Sequence, residues 1–73
     1  MFTVLYQHDG WIELKSQYHY WKIVQIPGTE EWALFHKYRI HQKYHRQNLS
    51  CPGTLRNIYS YIKRHDRYIS SLI

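Results

Sequence analysis

The spacing of apolar residues changes along this chain, from every second residue in the first half to helical spacing at the end. Alternation is typical of a strand that buries one face, whereas apolar residues three and four positions apart are typical of an amphipathic helix. Both patterns occur within 73 residues. A chain this short has material for one small core, and we therefore expect a single α+β domain over residues 1–73.

Three strands are predicted before residue 27. The first two cover residues 2–7 and 11–15, and the dipeptide Asp9-Gly10 between them is typical of a tight hairpin turn. A third covers residues 18–26 and ends at Pro27-Gly28, a pair that favours a turn.

The segment that follows starts like a helix but has the periodicity of a strand. At helical spacing its large apolar residues scatter around the circumference, whereas at period 2 most of those from Trp32 to Ile40 fall on one face. We therefore predict a fourth strand over residues 32–40. Residues 41–53 show no clean period, and we predict a long basic loop there.

The clearest helix follows Thr54, a residue type that favours the N-cap position. The apolar residues after it recur at helical spacing and occupy one side of the helix: Leu55, Ile58, Tyr59, Ile62, Ile69 and Leu72. We expect this side to pack on one face of a small antiparallel sheet of three or four strands. One C-terminal amphipathic helix on one face of such a sheet is the simplest two-layer arrangement.

Positive charge is concentrated in the second half of the chain. The formal net charge is +5 at pH 7 with the six histidines neutral. Residues 1–35 contain two lysines and four acidic residues, whereas residues 36–73 contain eight Lys or Arg residues and one acidic residue. Such a distribution favours anionic partners, because Lys and Arg pair with phosphates and release their counterions.

We therefore predict a small, non-enzymatic module that binds nucleic acid, DNA or RNA, mainly through phosphates. The predicted contacts lie on a basic strand and loop, residues 37–46, and on the exposed side of the helix, residues 56–67. The predicted nucleic-acid-binding residues are Lys37, Arg39, Lys43, Arg46, Arg56, Lys63, Arg64 and Arg67. An adaptor that docks on an acidic protein surface and a homodimeric structural module stay open as alternatives.

Aromatic residues supply much of the predicted core. The second, third and fourth predicted strands each contain one tryptophan: Trp11, Trp21 and Trp32. Large aromatic side chains allow a short chain to bury enough apolar area. The helix covers only one face of the sheet, so Tyr18, Tyr20 and Phe35 are expected on the uncovered face, as a base-stacking platform or a partner interface.

Four residues around the basic loop have side chains that suit zinc: His36, His41, His45 and Cys51. Their spacing differs from that of zinc fingers, which pair two cysteines close together, and we predict surface histidines without a metal or cofactor. His65 and Asp66 are neighbours on the predicted helix. Adjacent helical residues point about 100° apart, so this pair does not form a catalytic dyad.

Cys51 is the sole cysteine, which excludes an internal disulfide and is typical of a reducing compartment. The first residues lack the cationic and apolar segments of a secretory signal. Apolar runs are also far shorter than the roughly 20 residues of a membrane span. We therefore expect a cytoplasmic location and no membrane partner.

Overall fold

Five strands and one helix make up residues 2–73, the part of the chain that the computed structural model describes. In chain order the elements are β1 (Thr3–His8), β2 (Trp11–Lys15), β3 (Tyr20–Gln25), β4 (Trp32–Lys37), β5 (His45–Gln47) and α1 (Leu55–Leu72). The strands lie side by side in that same order, each antiparallel to the next. The α+β class and the C-terminal helix are confirmed, whereas the predicted count of three or four strands is wrong.

The turns between the strands explain where the predicted boundaries shift. Gly10 has a φ of 70°, the left-handed backbone that a tight hairpin between β1 and β2 requires. The N–H of Ser16 donates to the carbonyl of His19, which closes a turn and delays the start of β3 to Tyr20. After Lys37 the chain turns away from the sheet, so β4 ends earlier than predicted.

The fifth strand lies inside the segment predicted as a loop. Its three residues, His45–Gln47, are polar and show no apolar alternation. They form a strand because they pair with residues Leu34 to His36 at the edge of β4. Pairing with a neighbour therefore supplies what local sequence preference lacks.

The core lies between α1 and one face of the sheet. Its fully buried side chains come from α1 and the three central strands: Leu14, Trp21, Ile23, Leu34, Ile58 and Ile62. Thr54 caps the helix, and its hydroxyl accepts a 3.2 Å hydrogen bond from the N–H of Asn57, as predicted for an N-cap. The predicted apolar side of α1 is buried at Ile58 and Ile62, but Leu72 is 64% exposed and lies beyond the core.

The tryptophans occupy three different environments. Trp21 is fully buried in the core, and Trp32 is partly buried and packs against it. Trp11 is 37% exposed and points away from the helix. Only Trp21 therefore has the full core role that the sequence predicts for all three.

No helix within residues 2–73 combines the length and the apolar character that crossing a membrane requires.

Candidate functional site

Aromatic and basic side chains alternate on the sheet face that α1 leaves uncovered, which we call the open face. Strand register places Glu13, Lys22, Phe35 and Arg46 in one row across β2 to β5. A second row joins Lys15, Tyr20 and Lys37 across β2, β3 and β4. Side chains of alternate residues share a face of a strand, so both rows project to the same side.

Lys22 is surrounded by three aromatic rings at the centre of the open face. Its Nζ lies 4.6 Å from the centroid of the Phe35 ring and 5.0 Å from those of Trp11 and Tyr44. Distances of this size allow attraction between the ammonium charge and the ring faces. The open face is thus built from mixed aromatic and cationic groups, with no purely apolar patch at its centre.

Tyr44 reaches this surface from the loop before β5. Its ring lies 4.3 Å from Nζ of Lys37, and its hydroxyl donates a 3.3 Å hydrogen bond to Glu13. Burial, together with the nearby Glu13 carboxylate, raises the pKa of Tyr44 to about 12. The folded protein therefore keeps this phenol protonated, and able to donate to Glu13, at pH values above 10 where an exposed tyrosine ionises.

Charge on the open face is predominantly positive. The two rows contain four cations, Lys15, Lys22, Lys37 and Arg46, and one carboxylate, Glu13. Glu13 is engaged by the indole Nε1 of Trp11 at 2.9 Å as well as by Tyr44. The remaining positive charge makes this face attractive to anions.

The eight predicted binding residues do not form one surface. Lys37 and Arg46 lie on the open face, while Arg39 and Lys43 are exposed in the loop between β4 and β5. The other four are exposed on α1, which packs on the opposite face of the sheet: Arg56, Lys63, Arg64 and Arg67. The predicted set therefore divides between two sides of the molecule.

Sequence reasoning missed two cations of the open face, Lys15 and Lys22. Both lie in the half of the chain with net negative charge, so a count by halves conceals them. The period of two could have found them. Lys15 shares a face of its strand with Trp11, and Lys22 shares a face with Tyr20. Tyr20 and Phe35 lie on the open face as expected, but Tyr18 instead contacts the helix, with its hydroxyl 2.8 Å from Oγ of Ser70.

On the other side of the sheet, three histidines from distant parts of the chain converge between the sheet and α1. His19 comes from the turn before β3, His36 from β4 and His65 from α1. Nδ1 of His19 lies 2.9 Å from Nε2 of His65 and 3.0 Å from Nε2 of His36. His19 and His36 are buried, at 8% and 5% exposure, and His65 is half-buried.

Burial keeps these imidazoles neutral. It lowers the pKa of His36 to about 4, with further contributions from His19, His65 and His45, because charged neighbours would repel a second proton. Burial also lowers the pKa of His19 and of His65, against a weaker opposing effect of the Asp66 carboxylate. Neutral rings have lone pairs available for hydrogen bonds or for a cation.

Aromatic packing fixes the orientation of the imidazole rings. The ring of Trp21 lies 4.4 Å from that of His36 and 5.2 Å from that of His65. Tyr38 packs edge-on against His19 at 4.6 Å and against His36 at 4.7 Å. Rings held on several sides in this way have little freedom to rotate.

A buried carboxylate anchors the same region. Asp66 is 9% exposed and accepts hydrogen bonds from Oγ of Ser16 at 2.8 Å and from the N–H of Gln17 at 3.0 Å. Ser16 in turn accepts a 2.9 Å hydrogen bond from the indole of Trp21. As the helix geometry predicts, Asp66 does not pair with its neighbour His65.

Only His36 of the zinc-like set considered from the sequence belongs to this cluster. His41, His45 and Cys51 are exposed, as predicted, whereas the same prediction is wrong for His36, which is buried at 5% exposure. The sequence analysis missed His19 and His65 as members of this cluster. His19 lies 17 residues before His36, and His65 lies on α1, 46 residues after His19. No local spacing rule connects residues at such separations.

The chain matches no protein-family model, no curated protein and no solved structure.

Proposed function

We propose that this protein binds single-stranded nucleic acid on the open face of its sheet. The observation that supports this most directly is the position of Lys22, whose ammonium group lies within 5.0 Å of the Trp11, Phe35 and Tyr44 rings. Cations beside accessible aromatic rings are the combination that single-strand-binding proteins use.

Each type of group has a separate role. Bases stack on aromatic rings, and each such contact is worth about 1–3 kcal/mol to binding with little dependence on base identity. Lys22 and Lys37 have flexible side chains that can turn from the rings to the phosphates when bases take their place. The rings then supply stacking while the cations neutralise the backbone.

The aromatic rings of the open face favour a single strand over a duplex. Neighbouring strands are about 4.8 Å apart, so five strands span roughly 19 Å, enough for a few nucleotides. In a duplex the faces of the bases are stacked inside and cannot reach Phe35 or Trp11. The unstacked bases of a single strand can, and some RNA-binding domains hold two or three such bases on the aromatic residues of a sheet.

The cations of α1 have a secondary role in this proposal. They lie on the far side of a two-layer fold, so a strand bound to the open face does not contact Arg64 or Arg67. Their field still attracts a polyanion at low ionic strength, but it is screened beyond about 10 Å at 0.1 M salt. We therefore assign Lys15, Lys22, Lys37 and Arg46 as the phosphate contacts of the open face.

Two variants with the same change in charge test this assignment. The first is Lys22→Ala with Lys37→Ala on the open face, and the matched control is Arg64→Ala with Arg67→Ala on α1. Binding of a labelled poly-dT or poly-U oligonucleotide is followed by fluorescence anisotropy, and circular dichroism checks the fold. The open-face variant should bind at least tenfold more weakly than wild type. The helix variant should stay within about threefold of wild type, and a threefold change in Kd corresponds to roughly 0.7 kcal/mol.

The opposite ranking would overturn the assignment and place the binding surface on α1. Equal losses from both variants would mean that binding follows net charge without a defined surface. The open-face variant would also weaken binding of an acidic protein, so it does not distinguish the two classes of ligand. The oligonucleotide titration of wild type does, because it measures nucleic-acid binding directly.

Association between two copies is a second candidate, supported by a different observation. All six residues of edge strand β1 are exposed, including Val4, Leu5 and Tyr6 at 52–54%. An edge with unpaired backbone groups and apolar side chains favours pairing with another strand. Sedimentation equilibrium of wild type and of Leu5→Lys tests this, since a dimer through β1 should dissociate in the variant and a monomeric wild type would exclude it.

A further inference from the structure

We propose that His19, His36 and His65 together bind one divalent transition-metal ion of the zinc type, through Nδ1 of His19 and Nε2 of His36 and His65. The three rings come from a turn, a strand and the helix, so the site joins α1 to the sheet. It is separate from the open face and independent of nucleic-acid binding.

The first argument is the separation of the ligand atoms. One ring nitrogen from each histidine lies within 4.8 Å of the others, and two of the pairs are only 2.9 and 3.0 Å apart. Two nitrogens bound to one tetrahedral zinc ion at the usual bond length lie about 3.3 Å apart. For those two pairs, the rings need to separate by only a few tenths of an ångström to accept the ion.

The second argument is the count of protons. A neutral imidazole has one N–H and one lone pair, on different nitrogens. Nδ1 of His19 is in contact with both of the other rings, so its single proton or single lone pair has to serve two partners at once. A cation removes this conflict, because it accepts one lone pair from each of the three rings.

The third argument is the surrounding structure. Trp21 and Tyr38 hold the rings in place from two sides, so little ordering is needed when the ion binds. Asp66 contributes a buried negative charge close to His19 and His65, and Ser16 and Gln17 hold that carboxylate in position. In metal sites, the residues around the ligands commonly fix the orientation of the histidine rings and place negative charge near them.

The three imidazole ligands indicate which metal ions the site would bind. Three neutral imidazoles suit Zn²⁺, Co²⁺, Ni²⁺ or Cu²⁺, and they are poor ligands for Mg²⁺ or Ca²⁺, which prefer oxygen. His36 also lines a surface groove together with Tyr38, His41 and His45, which places one of the three rings beside solvent. Three protein ligands leave a further coordination position for water or for a small anion.

The direct test is to remove bound metal with a chelator and then add Zn²⁺. Titration calorimetry measures the number of ions bound per chain, and thermal unfolding measures Tm with and without Zn²⁺. We expect one Zn²⁺ per chain and a rise of roughly 10 °C or more in Tm when free zinc is about 100 times Kd. Co²⁺ should give the visible ligand-field absorption bands of a four-coordinate site, with three histidines and one water or small anion as ligands. Mg²⁺ at the same concentration should change neither Tm nor the spectrum.

Variants separate the proposed site from the surface histidines. His65→Gln should abolish the zinc-dependent rise in Tm, whereas His41→Gln with His45→Gln should keep it. Because His65→Gln can disturb helix packing, a second measurement uses wild type alone. In that measurement, histidine side-chain ¹⁵N spectra should show shifts at the three named nitrogens on addition of one equivalent of Zn²⁺.

Either of two results would overturn the proposal. The first is the absence of any zinc-dependent change in Tm or in the ¹⁵N spectra, which would mean that the three rings form a hydrogen-bonded cluster without metal. The second is zinc binding that persists in His65→Gln and disappears in the His41 and His45 double variant, which would place the ion on the surface loop.

Discussion

Asp66 of α1 accepts a 2.8 Å hydrogen bond from Oγ of Ser16, directly after the end of β2. The same carboxylate accepts a second bond from the N–H of Gln17, and it is almost fully buried. The aliphatic core contact of α1 is made by Ile58 and Ile62. This polar contact therefore holds the next turn of the helix on the sheet, beside the histidine cluster.

Removing that carboxylate should weaken the fold. Asp66→Ala removes the acceptor closest to the buried Ser16 hydroxyl and the side-chain acceptor of the part-buried Gln17 N–H, and we expect a loss of about 2 kcal/mol in the free energy of unfolding. Glu30→Ala is the matched control, since it removes the same charge from an exposed loop position and should change stability by less than about 0.5 kcal/mol. Urea denaturation measures both, and similar effects from the two variants would show that Asp66 acts only through its charge.

Gly53 is predicted to tolerate no side chain. A Cβ at this position would lie 2.5 Å from the backbone oxygen of Trp32, at the start of β4, where the chain after β5 crosses closely. Gly28 makes the comparison informative, because its φ is 77° but no atom lies within 4 Å of its Cβ position. Gly28→Ala should cost about 1 kcal/mol from backbone strain alone.

Gly53→Ala should cost more, about 2–3 kcal/mol, because backbone atoms have to move. The two variants are compared by thermal unfolding under identical conditions. A smaller effect at Gly53 than at Gly28 would contradict the close approach of the two chain segments.

Tyr44 predicts how the open face responds to alkaline pH. Its pKa is raised from 10.0 to about 12 in the folded protein, by burial first and by Glu13 second. Above pH 10 the unfolded chain loses this proton while the folded chain keeps it, so the contribution of Tyr44 to stability is complete below pH 10 and is lost as pH rises towards 12.

Ultraviolet difference titration of wild type against Tyr44→Phe isolates this one phenol among eight tyrosines. The difference signal should have its midpoint near pH 12. A midpoint near 10 would mean that Tyr44 is solvated and does not lie against Glu13.

Local sequence patterns predicted the parts of the fold that local interactions determine. The spacing from Leu55 onward placed the helix, and alternation around Ile12 and Leu14 placed β2 with its correct ends. β5 could not be predicted in this way, because His45, Arg46 and Gln47 become a strand only by pairing with β4.

The open face and the histidine cluster differ in the same respect. Phe35 and Tyr20 were expected on the open face because strand periodicity alone assigns a side of the sheet. The histidine cluster depends on how α1 packs over β3 and β4, which brings His65 within 2.9 Å of His19 across 46 residues of chain. Tertiary packing of this kind leaves no signature in residue spacing.

The central claim, that the open face binds single strands through about four cations, is tested most directly by the salt dependence of oligonucleotide binding. Fluorescence anisotropy of labelled single-stranded DNA, single-stranded RNA and duplex DNA is measured at several salt concentrations. Single-strand binding should weaken with a log–log slope of about −3, since each phosphate contact contributes about −0.7. It should also exceed duplex binding at every salt concentration. Absence of single-strand binding at low salt, or a preference for the duplex, would contradict the account.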